Sequence, residues 1–395
     1  MTAAALPPLR DLPDEVATIA ATLENAGFET WCVGGALRDR LLGHRAVDVD
    51  LATAATPDQV QRLFPKTVAV GLRFGTVGVL DRRRVLHEVT TFRKDVETDG
   101  RHAVVEYGAT LEEDLARRDF TINALAYHPI RHEWRDPHDG AADLQRRLVR
   151  AVGEPARRFA EDFLRILRAL RFAARFEFAI EQGTWEAAVA GAPGLAGLSA
   201  ERVRDEWFKG LATAGSLIRL VALWADAGAA AVWLPELRTT PPLAVDAPAR
   251  RDPVVLTAAL TSTPHQVLAR LRASNEEIAR ARALAAGPAA PASDDPRDVR
   301  RWMATVDDAA DDLLHLAELL AGSPPSWAAV VAGVRTRGEA TRRGQLAITG
   351  ADLLALGIPA GPELGRLLTR LLEAVLEDPA RNTREGLLAL AGIAR

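Results

Sequence analysis

The hydrophobic rhythm of the chain changes near residue 150. Up to about residue 145, short apolar runs with two-residue alternation are separated by stretches with helical spacing. Thr30–Val33, residues 47–52, Thr76–Leu80 and residues 85–92 read as strands, and residues 14–26 and Pro57–Leu63 as helices. This predicts a mixed sheet with helices packed against it. Beyond residue 150 the strand signal disappears and apolar residues recur at helical intervals. Ser199 is the expected N-cap of the helix through Trp207 and Leu211. Pro-rich breaks at 239–253 and 287–296 mark boundaries between helical subdomains, and no internal repeat is present.

Composition narrows the class. At 395 residues the chain exceeds the size at which a single core usually holds, and 48% apolar residues suffice for several. Cys32 is the only cysteine, which excludes a disulfide framework and thiolate metal clusters and fits a reducing cytoplasm. Between Trp31 and Val33 it reads as a buried strand thiol. No run of about 18 apolar residues occurs, and residues 1–8 lack a charged segment leading into an apolar core, so neither a membrane span nor secretion is expected.

The net charge of −4 conceals an asymmetry. Nine arginines (146, 147, 150, 157, 158, 165, 168, 171 and 175) face three acids (Glu154, Glu161 and Asp162) between Arg146 and Phe176, whereas 294–318 holds eight acids and three arginines. A polyanion is expected against the basic stretch.

Candidate chemistry begins at Gly34-Gly35-Ala36-Leu37-Arg38-Asp39. Asp48 and Asp50 follow, two residues apart in an apolar run, and on a strand they project from one face. Such a pair suits hard divalent cations, which hold about 3.5–4 Å separation in two-metal phosphoryl chemistry. The glycines admit backbone N–H groups close to phosphate, with Arg38 beside them as a charged donor. Standing alone, an Asp-x-Asp is more often a solvated turn. Glu88, alternating with Thr90 and Phe92, is either the third carboxylate of the cluster or a surface residue on an edge strand.

Two further segments carry charge in useful order. In Arg117-Arg118-Asp119-Phe120-Thr121-Ile122-Asn123-Ala124 the arginines suit forked bonds to a triphosphate, and Asp119 and Asn123, one helical turn apart, offer acceptors for ribose hydroxyls. The alternative is a helix start with solvated charge. In Glu161-Asp162-Phe163-Leu164-Arg165, continuing to Phe172, arginines 165, 168, 171 and 175 share a side with Asp162, opposite Phe163, Ile166, Leu167 and Leu170. The segment is either a salt-bridged surface helix or a reader of base edges. In the second reading Asp162 accepts from the amino group of C or A and Arg165 donates to the adjacent ring nitrogen, while U and G present a carbonyl to the carboxylate.

Taken in order, GGALRD (34–39) with DVD (48–50), RRDFTINALAY (117–127), DPHDGAADL (136–144) and EDFLRILRALRF (161–172) resemble the class II tRNA nucleotidyltransferases, the CCA-adding enzymes of the polymerase β superfamily. LSAER (198–202), LPEL (234–237) and the tail at 348–387 extend the resemblance along the chain. It implies an α+β protein: a polymerase-β-type nucleotidyltransferase head with a mixed sheet (1–145), then an all-helical neck for base recognition (146–215), body (216–290) and tRNA-binding tail (291–395). Segment 136–144 would be the hinge between head and neck. The implied reaction is template-independent addition of C, C and A to the tRNA 3′ end from CTP and ATP, with release of pyrophosphate. Mg²⁺ would sit on Asp48 and Asp50, with Glu88 near the attacking hydroxyl. Motifs and resemblance together give the nucleotide-binding set Gly34, Gly35, Arg38, Asp39, Arg117, Arg118, Asp119, Asn123, Glu161, Asp162, Arg165, Arg168 and Arg171.

The stretch between Arg93 and Leu111 is a few residues shorter than the family pattern, although 99–103 keeps the loop signature associated with the switch to terminal A. Its presence favours full CCA addition; CC-only or A-only addition and poly(A) polymerisation are the alternatives, and a non-catalytic RNA-binding protein is the rival from another class. The eight scattered histidines form no His-Asp phosphohydrolase signature, and no protein partner is legible.

Overall fold

The computed structural model describes residues 6–9, 12–44, 48–72, 75–98 and 103–393. The chain forms two compact units, Met1–Pro235 and Glu236–Arg395.

In the first unit the strands are β1 (Thr30–Val33), β2 (Asp50–Thr53), β3 (Thr67–Gly71), β4 (Thr76–Leu80), β5 (Leu86–Thr91), β6 (Arg93–Thr98), β7 (Ala103–Tyr107), β8 (Ala126–His128) and β9 (Glu133–Arg135). Seven of them make one mixed sheet in the order β3-β4-β5-β2-β1-β8-β9, while β6 and β7 pair as a separate hairpin. Only the β2–β5 pairing is parallel within that sheet, and it aligns Leu51 with Val89. Alternation then sorts the side chains. Leu51, Val77, Val79 and Val89 are buried on one face, with α1 (Asp14–Asn25) and α3 (Pro57–Leu63) packed on these strands. Helix α2 (Gly35–Leu41) follows β1 directly. The opposite face is covered over β1, β2 and β8, where Trp31, Val33, Ala52 and Ala126 join Leu111 and Leu115 of α4 (Leu111–Ala116). Cys32 is buried and free, as its strand neighbours predicted.

Two boundaries differ from the sequence expectation. The strand predicted at 47–52 begins at Asp50, because β1 ends at Val33, its register partner, and Gly34 turns the chain away. Asp48 therefore precedes the strand, and Val47 lies outside the described residues. Strand structure also persists past residue 150: β10 (Leu148–Val149) and β11 (Ala179–Ile180) form a short parallel pair.

The remaining helices of this unit are α5 (Gly140–Arg146), α6 (Pro155–Glu161), α7 (Leu164–Phe176), α8 (Gln182–Gly191), α9 (Ala200–Thr213), α10 (Leu217–Asp226) and α11 (Ala229–Trp233). Glu154 starts α6 by accepting from the amides of Ala156 and Arg157, with Pro155 at the first helical position. Asp162, extended, ends α6 and accepts from the Leu164 amide at 3.1 Å, opening α7. Ser199 holds the N-cap of α9 without a side-chain capping bond. Helices α7, α9 and α10 share a core in which Trp207 meets Trp224 edge to face at 5.2 Å. Helix α7 is buried along nearly its whole length, Arg171 included, so it is not the surface helix that salt-bridge spacing alone would suggest.

In the second unit helices are the regular elements among the described residues, with one isolated bridge between Leu237 and Thr261. Its last segment closes around Ile348, Leu353, Leu367, Leu371, Val375 and Leu387. Arg280 joins Asp252 to Asp312 at 2.8 Å each, and Arg300 donates to the Leu376 carbonyl at 2.7 Å.

Within segment 136–144, Asp136 accepts from the amides of Gly140 (2.7 Å) and Ala141 (2.9 Å), while fully buried Asp143 accepts from Thr121 Oγ1 (2.6 Å) and Arg150 Nε (2.8 Å). Replacing Asp143 with Ala leaves both donors without their acceptor. The expected cost is roughly 2–3 kcal/mol, read as a lower urea midpoint at unchanged slope.

Candidate active site

The site starts at the turn after β1. Gly34 has φ of 87°, and a Cβ built there would lie 3.2 Å from Asp50 Oδ2 and 3.8 Å from Arg118 Nη1. Both conformation and space require glycine. Asp50, opposite Val33, opens β2, and the parallel register that aligns Leu51 with Val89 sets Glu88 beside it on the same face. Burial, then the charge of Glu88, push the Asp50 carboxyl up to about 6; Arg118 pulls it down and Asp48 adds a further upward push. Like charges gathered at a half-buried point are the donor chemistry of a divalent cation. Among the described residues no three His, Cys, Asp or Glu side chains close around one point. The arrangement instead fits a divalent cation that takes one or two carboxylates and completes its shell with phosphate and water.

Arg38 projects from α2 into the protein and is 4% exposed. It donates to Asn123 Oδ1 and, through Nε at 2.8 Å, to Asp39 Oδ1, with its guanidinium 4.9 and 4.7 Å from the ring centres of Phe172 and Phe176. The other Asp39 oxygen accepts from Arg175 at 2.9 Å. Asn123 donates to Asp119 Oδ1 at 2.9 Å, and Asp119 Oδ2 accepts from Arg168 Nε at 2.7 Å. Glu206 then accepts from Arg171 Nε at 2.6 Å and lies 3.9 Å from Arg168. An unbroken chain of alternating partners thus runs from Arg175 to Arg171. Burial raises the Asp119 carboxyl, but the charge of Arg168 and the bonds from Asn123, Arg168 and the Phe120 amide outweigh it and hold the group at about 2.

This chain corrects one expectation. Asp119 and Asn123 do not share an α-helical face: Asp119 precedes a 3₁₀ turn at Thr121–Asn123, and the two side chains close on each other. Their oxygens accept from Arg38, Arg168 and the Phe120 amide, so both side chains position arginines while also lining the cavity.

The predicted base reader is partnered differently from its sequence neighbours. Asp162 Oδ2 accepts from Arg202 of α9 at 2.7 Å. Arg165 donates to Glu161 at 2.7 Å, to the Arg158 carbonyl at 2.9 Å and to the Arg117 carbonyl at 3.2 Å. Arg117 and Arg118 are braced by buried Asp114, at 3.0 and 3.1 Å.

One cavity of about 660 Å³ collects most of these groups. Gly34, Gly35, Arg38, Asp50, Glu88, Arg117, Arg118, Asp119, Asn123, Asp162, Arg165, Arg168 and Arg171 line it. Asp48, Asp39 and Glu161 do not; the last two act behind the wall, holding Arg38 and Arg165. The loop signature at 99–103 falls, up to His102, outside the described residues. Sequence reading placed Arg175 in the arginine row without assigning it to the site, and missed Asp114, Arg202 and Lys209 on the wall and Glu206 behind it. Arg202, Glu206 and Lys209 recur at i, i+4 and i+7 of α9, a polar stripe that was available to find them.

A nucleotidyltransferase head, a carboxylate pair beside a Gly-Gly turn under an arginine wall, is the class that this fold and site define. Three family models match in chain order: the poly A polymerase head domain at 30–150, the probable RNA and SrmB-binding site of polymerase A at 177–239, and the putative tRNA nucleotidyltransferase domain 2 at 254–391. The CCA-adding enzyme of Leuconostoc mesenteroides is 48% identical over 195 residues, 48% of either chain, so this match spans about half the length of that relative. The CCA-adding enzyme of Geobacillus kaustophilus is 35% identical over 395 residues, 94% of each chain. The crystal structure of the Bacillus stearothermophilus CCA-adding enzyme in complex with CTP superposes with a TM-score of 0.82 at 31% identity, covering 97% of this chain and 98% of that one. The chain belongs to the CCA-adding enzyme family of tRNA nucleotidyltransferases.

The Asp119–Arg168 pair makes a pH prediction. The folded carboxyl, at about 2, lies below the ordinary value near 3.9. Its stabilisation is present above that ordinary value and is lost as pH falls through the folded one. The unfolding free energy of the wild type relative to Asp119→Asn should hold constant from about pH 6 to 8 and shrink below about pH 4, in urea titrations of both proteins.

Proposed function

We propose that this chain adds C, C and A to the 3′ end of tRNA, using CTP and ATP and releasing pyrophosphate, without a nucleic-acid template. The observation that carries the reading is that Asp50 and Glu88, each one residue before the Leu51–Val89 register pair, share one cavity with the guanidinium groups of Arg38, Arg117, Arg118, Arg165, Arg168 and Arg171. A triphosphate and its divalent cation need both kinds of group at once.

In this mechanism Asp48 and Asp50 would hold Mg²⁺, which when bound supplies charge neutralisation and an activated hydroxyl. Glu88, beside Asp50 on the cavity wall, would orient the attacking 3′-hydroxyl of the RNA. Arg118 and Arg117, braced by Asp114, hold the triphosphate so that its α-phosphorus lies in line with that hydroxyl. Arg38, Arg168 and Arg171, fixed by their buried partners, complete a preorganised cationic wall. Asp162 and Arg165 take the place of a template by accepting from and donating to the edge of C or A. Division into head, neck, body and tail at 1–145, 146–215, 216–290 and 291–395 follows this reading, as does tRNA contact by residues 348–387. No described helix is long and apolar enough to cross a membrane, and tRNA maturation in the cytoplasm is the setting we infer.

Extension of a tRNA lacking its 3′ end, with Mg²⁺ and CTP, ATP or both, tests the reading at single-nucleotide resolution. Three residues added with both nucleotides are expected; arrest at two would make this a CC-adding enzyme, addition of A only after a preformed CC the complementary one, and a long A tail a poly(A) polymerase. Asp48→Ala and Asp50→Ala should each lower the rate by about a hundredfold to a thousandfold. Asp162→Ala should instead reduce the preference for CTP over UTP by about ten- to a hundredfold in competition assays, with the metal requirement unchanged.

A further inference from the structure

The face of the sheet that bears the carboxylates continues outward across three strands, where side chains described on it are exposed. Val68, Gly78 and Glu88 are register partners on β3, β4 and β5, so they form a row on that face. Val68 and Val70 are each 44% exposed and Leu86 39%, although all three are aliphatic strand residues. Gly78 lies beneath two of them: a Cβ there would come within 2.6 Å of Leu86 Cδ1 and 2.8 Å of Val70 Cγ2. Glycine lets these side chains meet and form a continuous apolar strip that begins beside Glu88.

The far end of the strip is cationic. Arg82 and Arg84 are exposed in the turn between β4 and β5, and Lys66, exposed before β3, is drawn to the same end by the bond from the Leu80 amide to its carbonyl at 3.0 Å. The one acid of the turn, Asp81, is turned inward: it accepts from the amides of Arg83 and Val85, both at 2.8 Å, and contacts His87 at 3.2 Å. Its charge is spent on the turn, which leaves the rim positive.

We propose that this open face seats the acceptor end of the RNA primer, with bases and riboses against Val68, Val70 and Leu86 and phosphates on Lys66, Arg82 and Arg84. The inference rests on the transfer reading above. There, the 3′-hydroxyl must reach Asp50 and Glu88 while the arginine wall is occupied by the triphosphate. A second polyanion is repelled from the filled side and has to approach along the other. Unstacked nucleotides offer what this face lacks: flat apolar surface beside a regular row of negative charge.

The test uses the full chain and a tRNA lacking its 3′ end. Two double variants are made, Val70→Ser with Leu86→Ser, and Arg82→Ser with Arg84→Ser. Binding of the tRNA is measured across a salt series, together with transfer kinetics. Each variant should bind the tRNA about five- to tenfold more weakly, while KM for CTP and kcat at saturating tRNA stay within about twofold of wild type. In the arginine variant the slope of log affinity against log salt should flatten by about 1 to 2. Wild-type tRNA affinity and slope in both variants would overturn the proposal. So would unchanged tRNA affinity with a loss of self-association in the Val70/Leu86 variant, which would assign the strip to a second copy of the chain. Failure of the wild type to extend any tRNA would sink the transfer reading instead, with the binding series still deciding whether RNA occupies this face.

Discussion

A guanidinium that is buried cannot shed its proton, so the protein must surround it with acceptors. Arg38 imposes that constraint on the first unit. Its needs are met by Asp39 from its own helix, by Asn123 from the 3₁₀ turn, and by the faces of Phe172 and Phe176 from α7. Each acceptor is then held by another arginine: Asp39 by Arg175, and Asn123 through Asp119 by Arg168. Satisfying one buried charge thereby fixes α2, the 3₁₀ turn and α7 against one another. Buried ion pairs of this kind seldom add much net stability, because desolvation offsets their attraction. What they supply is a single geometry. A site that must stabilise charge developing on phosphate gains rate from donors that need no rearrangement at the moment of reaction.

The opposite sign of charge is handled in the opposite way. Asp50 has only Arg118 to offset the push of Glu88 and Asp48, and its carboxyl remains protonated up to about 6. Asp119, buried more deeply but bonded on both oxygens, stays ionised down to about 2. The two aspartates differ in whether the protein has completed their coordination. Asp119 is finished within the fold and belongs to its framework. Asp50 is left incomplete at the mouth of a cavity, which is the electrostatic signature of a group whose partner comes from outside.

Sequence made the strands legible where alternation was clean, as in Thr30–Val33 and Thr76–Leu80, both found with those bounds. It overran at 47–52 because periodicity cannot show that the partner strand stops at Val33. The order of the motifs identified most of the cavity wall, since those segments are contiguous and their charged residues sit at short spacing. Pairing across the fold was not legible. Nothing local indicates that Asp162 meets Arg202 rather than Arg165, or that Asp119 faces Arg168, because those partners lie 40 and 49 residues apart in the chain. The stripe of Arg202, Glu206 and Lys209 on α9 had the right spacing, but a charged stripe is usually solvated, and only packing of α9 against α7 turns it inward.

The unexpected partners of Asp162 and Arg165 remain compatible with base reading once hydrogen-bonding capacity is counted. A carboxylate has about four lone-pair sites, and Asp162 uses one for the Leu164 amide and one for Arg202. Arg165 commits bonds to Glu161 and to two carbonyls through Nη1 and Nη2, while a guanidinium carries about five N–H groups. Each side chain thus keeps uncommitted hydrogen-bonding capacity on the cavity wall while its remaining bonds remove rotational freedom. In that role, the bond from Arg202 of α9 would also keep the Asp162 carboxylate from swinging to meet a wrong base. Under the proposed base-reading role, rejection of U and G would come from the cost of setting a carbonyl against an acceptor that cannot turn away, so selectivity would depend on the rigidity of the reader as much as on its hydrogen-bonding pattern.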